Sequence, residues 1–75
     1  QLAKTIAAFP EVERAVRVLT MQLGAHSVLV TGELQVRRDM KVEAIEALIV
    51  RLDEAVSSRV PEVIDTFWEL KRVKA

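Results

Sequence analysis

The stretch Phe9-Pro10-Glu11-Val12 decides the fold, because it recurs as Val60-Pro61-Glu62-Val63. Proline cannot continue a helix, and it pushes the residue before it toward extended backbone, so each copy predicts an elbow from helix to strand. Upstream of the first copy, Leu2, Ile6 and Phe9 fall at i, i+4 and i+7, the spacing of an amphipathic helix. Upstream of the second, Ile45, Leu48, Ile49, Leu52 and Val56 form a longer stripe of the same period. Glu43, Glu46, Asp53, Glu54 and Ser57 are expected on its solvent side.

Downstream of each elbow the period drops to two. Val12, Val16, Val18 and Thr20 are expected on one strand face, with Glu13, Ala15, Arg17, Leu19 and Met21 on the other. After the second elbow, Ile64, Thr66, Trp68 and Leu70 alternate with Asp65, Phe67, Glu69 and Lys71, and the tail from Arg72 to Ala75 is expected to fray. Between the elbows lies a further strand, in which Val28, Val30, Gly32, Leu34 and Val36 alternate with Leu29, Thr31, Glu33, Gln35 and Arg37. Leu23 to Ser27 form the hairpin turn, with Gly24 the residue there that takes positive φ without steric cost. Asp39 is the expected cap of the long helix, since Lys41 is a poor one.

The order is helix, strand, strand, helix, strand. A strand-helix-strand unit closes right-handed, so the last strand lies parallel to the second and both helices cover one sheet face. The expectation is an α+β, ferredoxin-like open sandwich with a three-stranded mixed sheet. Its uncovered face carries Leu19, Met21, Leu29, Thr31, Glu33, Phe67 and Glu69, with the faces of Phe67 and Trp68 open to exchange. An apolar patch of that size on so small a domain is an interaction surface; a homodimer through Leu19, Met21, Leu29, Thr31 and Phe67 is the expected use of it, with coverage by a terminal segment or a partner outside this fragment as the alternative.

Seventy-five residues make one domain, 1–75, at a size where burial alone leaves only ~3–5 kcal/mol of net stability. Eleven Lys and Arg balance eleven Asp and Glu, which removes the positive field that a nonspecific nucleic-acid or anionic-membrane binder needs. No apolar run is long enough to insert into a bilayer. The absence of Cys excludes disulfides and thiolate metal sites, and it fits a reducing compartment. A chain that starts at Gln1 and enters a helical pattern at once is expected to be a fragment of something longer.

Few residues suggest chemistry. His26 is the single histidine, and with no Cys it makes a zinc site only if carboxylates such as Glu33 or Glu69 join it or two His26 side chains meet across a dimer axis. Those three are the candidate metal ligands, for a divalent cation such as zinc. Glu33 and Glu69 face each other as an acid-base pair would, but no nucleophile and no glycine-rich phosphate loop accompanies them. Ser57 and Ser58 have no histidine nearby, and Arg37 with Arg38 reads as a solvated rim. No enzyme is expected. Base-stacking aromatics are missing from the hairpin, which argues against an RNA-recognition module.

Taken in order, Phe9 to Val12, then Val16, Val18, Leu19 and Thr20, then Leu23 and Gly24, then Val28, Leu29 and Val30 form one series. Asp39 and Met40 leading into Glu43 and Ile45, and last Val60 to Val63 with Phe67 and Glu69, complete it. The whole resembles the cytosolic C-terminal domain of the cation diffusion facilitator family, membrane transporters that export divalent metals such as zinc, manganese or iron in exchange for protons. The resemblance implies a regulatory domain on the cytoplasmic side of the membrane, joined to a transmembrane domain of the same chain, dimeric, and in many members metal-binding. Aligned with the family's ligand positions are Gly32, Trp68 and Leu70, which coordinate nothing, so the resemblance implies dimerisation more than metal sensing. The usual Ser or Thr helix cap is replaced by Lys41. The alternative reading is a freestanding ferredoxin-like effector-binding or protein-interaction domain.

Overall fold

A computed structural model describes residues 1–73. Two helices, α1 (Leu2–Ala7) and α2 (Val42–Arg59), accompany three strands, β1 (Val12–Gly24), β2 (Ser27–Val36) and β3 (Val63–Arg72). The sheet order is β1-β2-β3, with β1 antiparallel and β3 parallel to the central β2. This is the expected α+β open sandwich.

The two elbows turn out to be the same device used at opposite ends of β2. In the first, Val12 N–H donates to the Phe9 carbonyl at 3.0 Å, and the Glu11 carbonyl accepts from Arg37 N–H at 3.1 Å, just past the end of β2. In the second, Val63 N–H donates to the Val60 carbonyl at 3.0 Å, and the Glu62 carbonyl accepts from Val28 N–H at 3.0 Å, at the start of β2. Each proline thus stops a helix and leaves the following glutamate's carbonyl free to register a new strand on β2. One elbow launches the antiparallel partner and the other the parallel partner.

The core lies between the sheet and the helices. Ile6 of α1 and Leu48, Leu52 and Val56 of α2 close over Val30, Leu34 and Val36 of β2, with Val12 and Met40 at the margin. Burying each aliphatic side chain contributes roughly 1.5–3 kcal/mol before entropy is counted, and these few residues hold the layer together.

Several local expectations are corrected. β1 departs from a two-residue period because Glu13 and Val16 have no partner on β2; its register runs Val12↔Val36, Arg14↔Gln35, Ala15↔Leu34, Arg17↔Glu33. Each bulge sets two residues against one, so Ala15 rather than Val16 shares the core face with Val12 and Val18. A third irregularity at Leu23 tightens the hairpin to a two-residue turn at Ala25 and His26, and Gly24 stays in the strand without a positive φ. On β3 the skip falls at Ile64, so Val63 packs against the core and Ile64 is exposed.

The N-cap of α2 is Lys41, in extended backbone and with no side-chain hydrogen bond, while Asp39 pairs instead with Arg37 at 3.6 Å. Glu43 in the first turn and Arg59 in the last suit the helix dipole and partly compensate for the missing cap. The expected fraying does not begin at Arg72, which is in β3, or at Val73, whose N–H donates to the Val36 carbonyl at 2.9 Å. Lys74 and Ala75 lie outside the described residues.

Candidate functional site

The register across the three strands decides what each sheet face can do. On the helix-covered face Val18, Gly32 and Trp68 stand in register across the three strands. A Cβ at Gly32 would meet the Trp68 ring at 2.5 and 2.6 Å, so the indole occupies the space that any larger residue would need. Trp68 Nε1–H donates to Asp53 Oδ1 at 2.7 Å, and the Thr66 hydroxyl donates to the same oxygen at 2.6 Å. Asp53, expected on the solvent side of α2, instead ties that helix to β3. Its one oxygen satisfies two donors that a side chain without an acceptor would leave bare.

The open face is organised in four rows by the same register. They run Met21-Leu29-Asp65, Leu19-Thr31-Phe67, Arg17-Glu33-Glu69 and Arg14-Gln35-Lys71. The first two are largely apolar, and in them Leu19, Met21 and Phe67 are 54%, 57% and 55% exposed. The last two are charged. Between Leu19, Thr31 and Phe67 on one side and Arg17, Glu33 and Glu69 on the other lies a shallow, open depression of about 300 Å³. Phe67 faces this side and Trp68 the helices, which resolves the alternative left by the sequence.

The residues singled out as metal ligands do not come together in one protomer. Glu33 and Glu69 are register partners, but His26 sits at the exposed hairpin tip, seven residues along β2 from Glu33 and so about 23 Å away at strand rise. Among the described residues, no group of three or more His, Asp or Glu side chains is placed to hold a metal ion. Lys71 Nζ lies 3.5 Å from Glu69 Oε2 and 4.0 Å from Glu33 Oε2, so an ammonium stands where a cation between the two carboxylates would go. Gly32, Trp68 and Leu70, which the sequence resemblance set at ligand positions, all lie on the helix-covered face.

Sequence reasoning missed Lys71 and Arg17 as members of this charged cluster. The signal was present: the alternation puts Lys71 two residues from Glu69 on one face. What was lacking was the register that sets Arg17 beside Glu33.

A second cluster secures the first elbow. Arg51 of α2 pairs with Glu11, and its guanidinium lies 5.6 Å from the centre of the Phe9 ring. The hydrogen bond from Arg51 holds the Glu11 carboxyl below its ordinary pKa, against burial, which pushes the other way. Among the described residues, Glu11 Oε1 is buried with no hydrogen-bond partner.

No helix among the described residues is long and apolar enough to cross a membrane. No protein-family model matches the sequence, and no curated protein matches it significantly. Solved structures do match. The chain superposes on the cytosolic domain of a cation diffusion facilitator family protein with a TM-score of 0.82 at 18% identity, covering 96% of this chain and 84% of that one. A MamM CTD variant gives 0.82 at 12% identity over 97% of this chain and 88% of its own. The copper form of another MamM CTD variant gives 0.82 at 11% identity over 97% and 90%. Nickel and cadmium forms of further MamM CTD variants give TM-scores of 0.81 and 0.82. At these identities the likeness establishes the fold.

Proposed function

We propose that this chain is the cytosolic regulatory and dimerisation domain of a divalent-cation efflux transporter of the cation diffusion facilitator family. Its main task is to hold two transporter subunits together at the cytoplasmic side of the membrane. Proton-coupled export of zinc, manganese or iron then belongs to the membrane part of the full protein, and the domain has no catalytic activity of its own.

The observation that carries this reading is the open sheet face. Leu19, Met21, Leu29, Thr31 and Phe67 form two adjacent, largely apolar rows that neither helix covers. A contiguous apolar surface rimmed by charge, on a domain too small to gain much stability from its own core, is the arrangement expected of a self-association face. The fold shared with cytosolic domains of the family supports the same reading. Metal forms of structural neighbours make divalent cations the natural ligands to test. In this chain, though, Glu33 and Glu69 already have the Lys71 ammonium within ion-pairing reach and Arg17 in the same row, so self-association is expected to proceed without metal.

Sedimentation equilibrium of the chain, first with chelator and then with excess zinc or manganese, tests the proposal. The expected result is a dimer indifferent to metal and disrupted by Phe67→Thr. A monomer under both conditions would overturn it. A monomer that dimerises only with metal would instead show that His26 and the carboxylates assemble ligands between protomers.

A further inference from the structure

We propose that Lys71 is a built-in counter-ion that takes the place of a divalent cation between Glu33 and Glu69, leaving the open face charge-balanced without metal. This goes beyond the dimerisation reading and stands whether or not the chain self-associates.

The argument begins with an unfavourable pair. Glu33 and Glu69 are direct register partners on adjacent parallel strands, pointing to the same face. Neighbouring strands lie only about 4.8 Å apart, and like charges placed directly opposite destabilise a sheet. Such a pair is tolerated when a cation stands beside it. A bound metal is one solution; this chain holds another. Lys71, two residues from Glu69 on the same strand and face, places its ammonium within 3.5 Å of Glu69 and 4.0 Å of Glu33. Arg17 completes the row on the other flank as the register partner of Glu33. With Arg14 and Asp65 also on this face, three cations and three carboxylates sum to zero.

The same geometry explains why the face does not fit a metal. A divalent ion between the carboxylates would occupy the position of the Lys71 ammonium and be repelled by it. Hard divalent cations also take six or more oxygen ligands in well-formed sites, and here two side chains are on offer. With the ammonium gone, the two carboxylates keep only the guanidinium of Arg17 in their own row and that of Arg14 in the next, the site between them has no cation, and a divalent ion becomes attractive. Lys71 is 61% exposed and supports no buried group, so its replacement by a polar residue leaves the core untouched.

Manganese is the appropriate probe, because it favours oxygen ligands and so reports on the carboxylates rather than on His26. Binding is read at low ionic strength from the loss of the electron paramagnetic resonance signal of free aqueous Mn²⁺. Native chain is expected to leave the signal nearly intact, and Lys71→Gln to bind at least about tenfold more tightly, the scale of removing one unit charge near 4 Å from the ion in a solvent-screened site. Glu33→Gln in the Lys71→Gln background returns binding to the native level, and Lys71→Arg, which keeps the charge, behaves as native. Melting temperature gives an independent readout: Lys71→Gln melts lower than native in chelator and recovers with Mn²⁺, whereas native chain does not respond. Two results overturn the proposal. One is native chain that binds Mn²⁺ as tightly as Lys71→Gln; the other is a folded Lys71→Gln, confirmed by circular dichroism, that gains no affinity.

Discussion

On β2, Val30, Leu34 and Val36 are closed off from solvent, while Leu29, Thr31 and Glu33, one residue away in each case, are only partly covered. One strand therefore serves two surfaces with opposite demands. The helix-covered face is specified by shape: Gly32 is small because the Trp68 ring fills its space, and Trp68 is fixed because Asp53 accepts its N–H. The open face is specified by charge and apolarity, with rows that tolerate substitution in the monomer and matter only to whatever meets them. The difference shows where stability and function reside in so small a domain. Stability is concentrated under the helices, and the other face is free to carry the interaction.

The comparison breaks most visibly at Gly32. Gly32→Val drives a branched side chain into the indole, which displaces Trp68 and breaks its bond to Asp53. Overpacking costs about 1–3 kcal/mol and the lost hydrogen bond adds to it, so a destabilisation near 3 kcal/mol is expected in urea unfolding. On the other face, Phe67→Thr and Leu19→Thr together keep strand propensity and leave monomer stability within about 1 kcal/mol. They remove apolar area that a dimer would bury twice, and a loss of at least about a hundredfold in self-association is expected by sedimentation. If the double variant is strongly destabilised, or dimerises as the native chain does, the division of labour between the faces is wrong.

Asp53→Ala tests the tie between α2 and the sheet more gently. Both donors on the Asp53 oxygen lose a charged acceptor, which costs about 1.5–3 kcal/mol for such bonds, reduced by water that reaches this partly buried site. The indole also reports directly, because it is the only Trp: its emission shifts to longer wavelength in Asp53→Ala and stays unchanged in Phe67→Thr.

The repeated proline phrase made the order of elements legible, since two helix-to-strand elbows around a hairpin leave few topologies. The faces of β2 and of most of β3 followed from alternation alone. β1 did not, because Glu13 and Val16 are bulged, and a bulge is decided by pairing with β2 rather than by any local residue preference. Asp53 was misplaced for a related reason. Helical spacing puts it at the edge of the apolar stripe, and only the Trp68 and Thr66 donors on a strand distant in sequence draw it inward. The charged row was half visible: Glu33 and Glu69 were paired from the strand order, but the compensating role of Lys71 depends on distances.

The smallest expected effect concerns the two elbows, which share backbone hydrogen bonds yet differ in side-chain support. Only the first has Arg51 lying over Phe9 and paired with Glu11. Because that hydrogen bond depresses the Glu11 pKa in the folded state below its ordinary value of about 4.5, the folded protein binds the proton less readily than the unfolded chain. The stability this contributes is fully present above about pH 4.5 and is lost as pH falls through the lower folded-state pKa. Glu11→Gln removes that contribution, so the difference in unfolding free energy between native and Glu11→Gln chains, measured in urea from pH 7 down to pH 3, is expected to shrink below pH 4.5. Arg51 is 44% exposed, which limits the pair to the range of about 0.5–1 kcal/mol. A difference that stays constant across that pH range would mean that Arg51 supports the elbow through Phe9 and packing rather than through the carboxylate. The two proline elbows would then differ in shape alone.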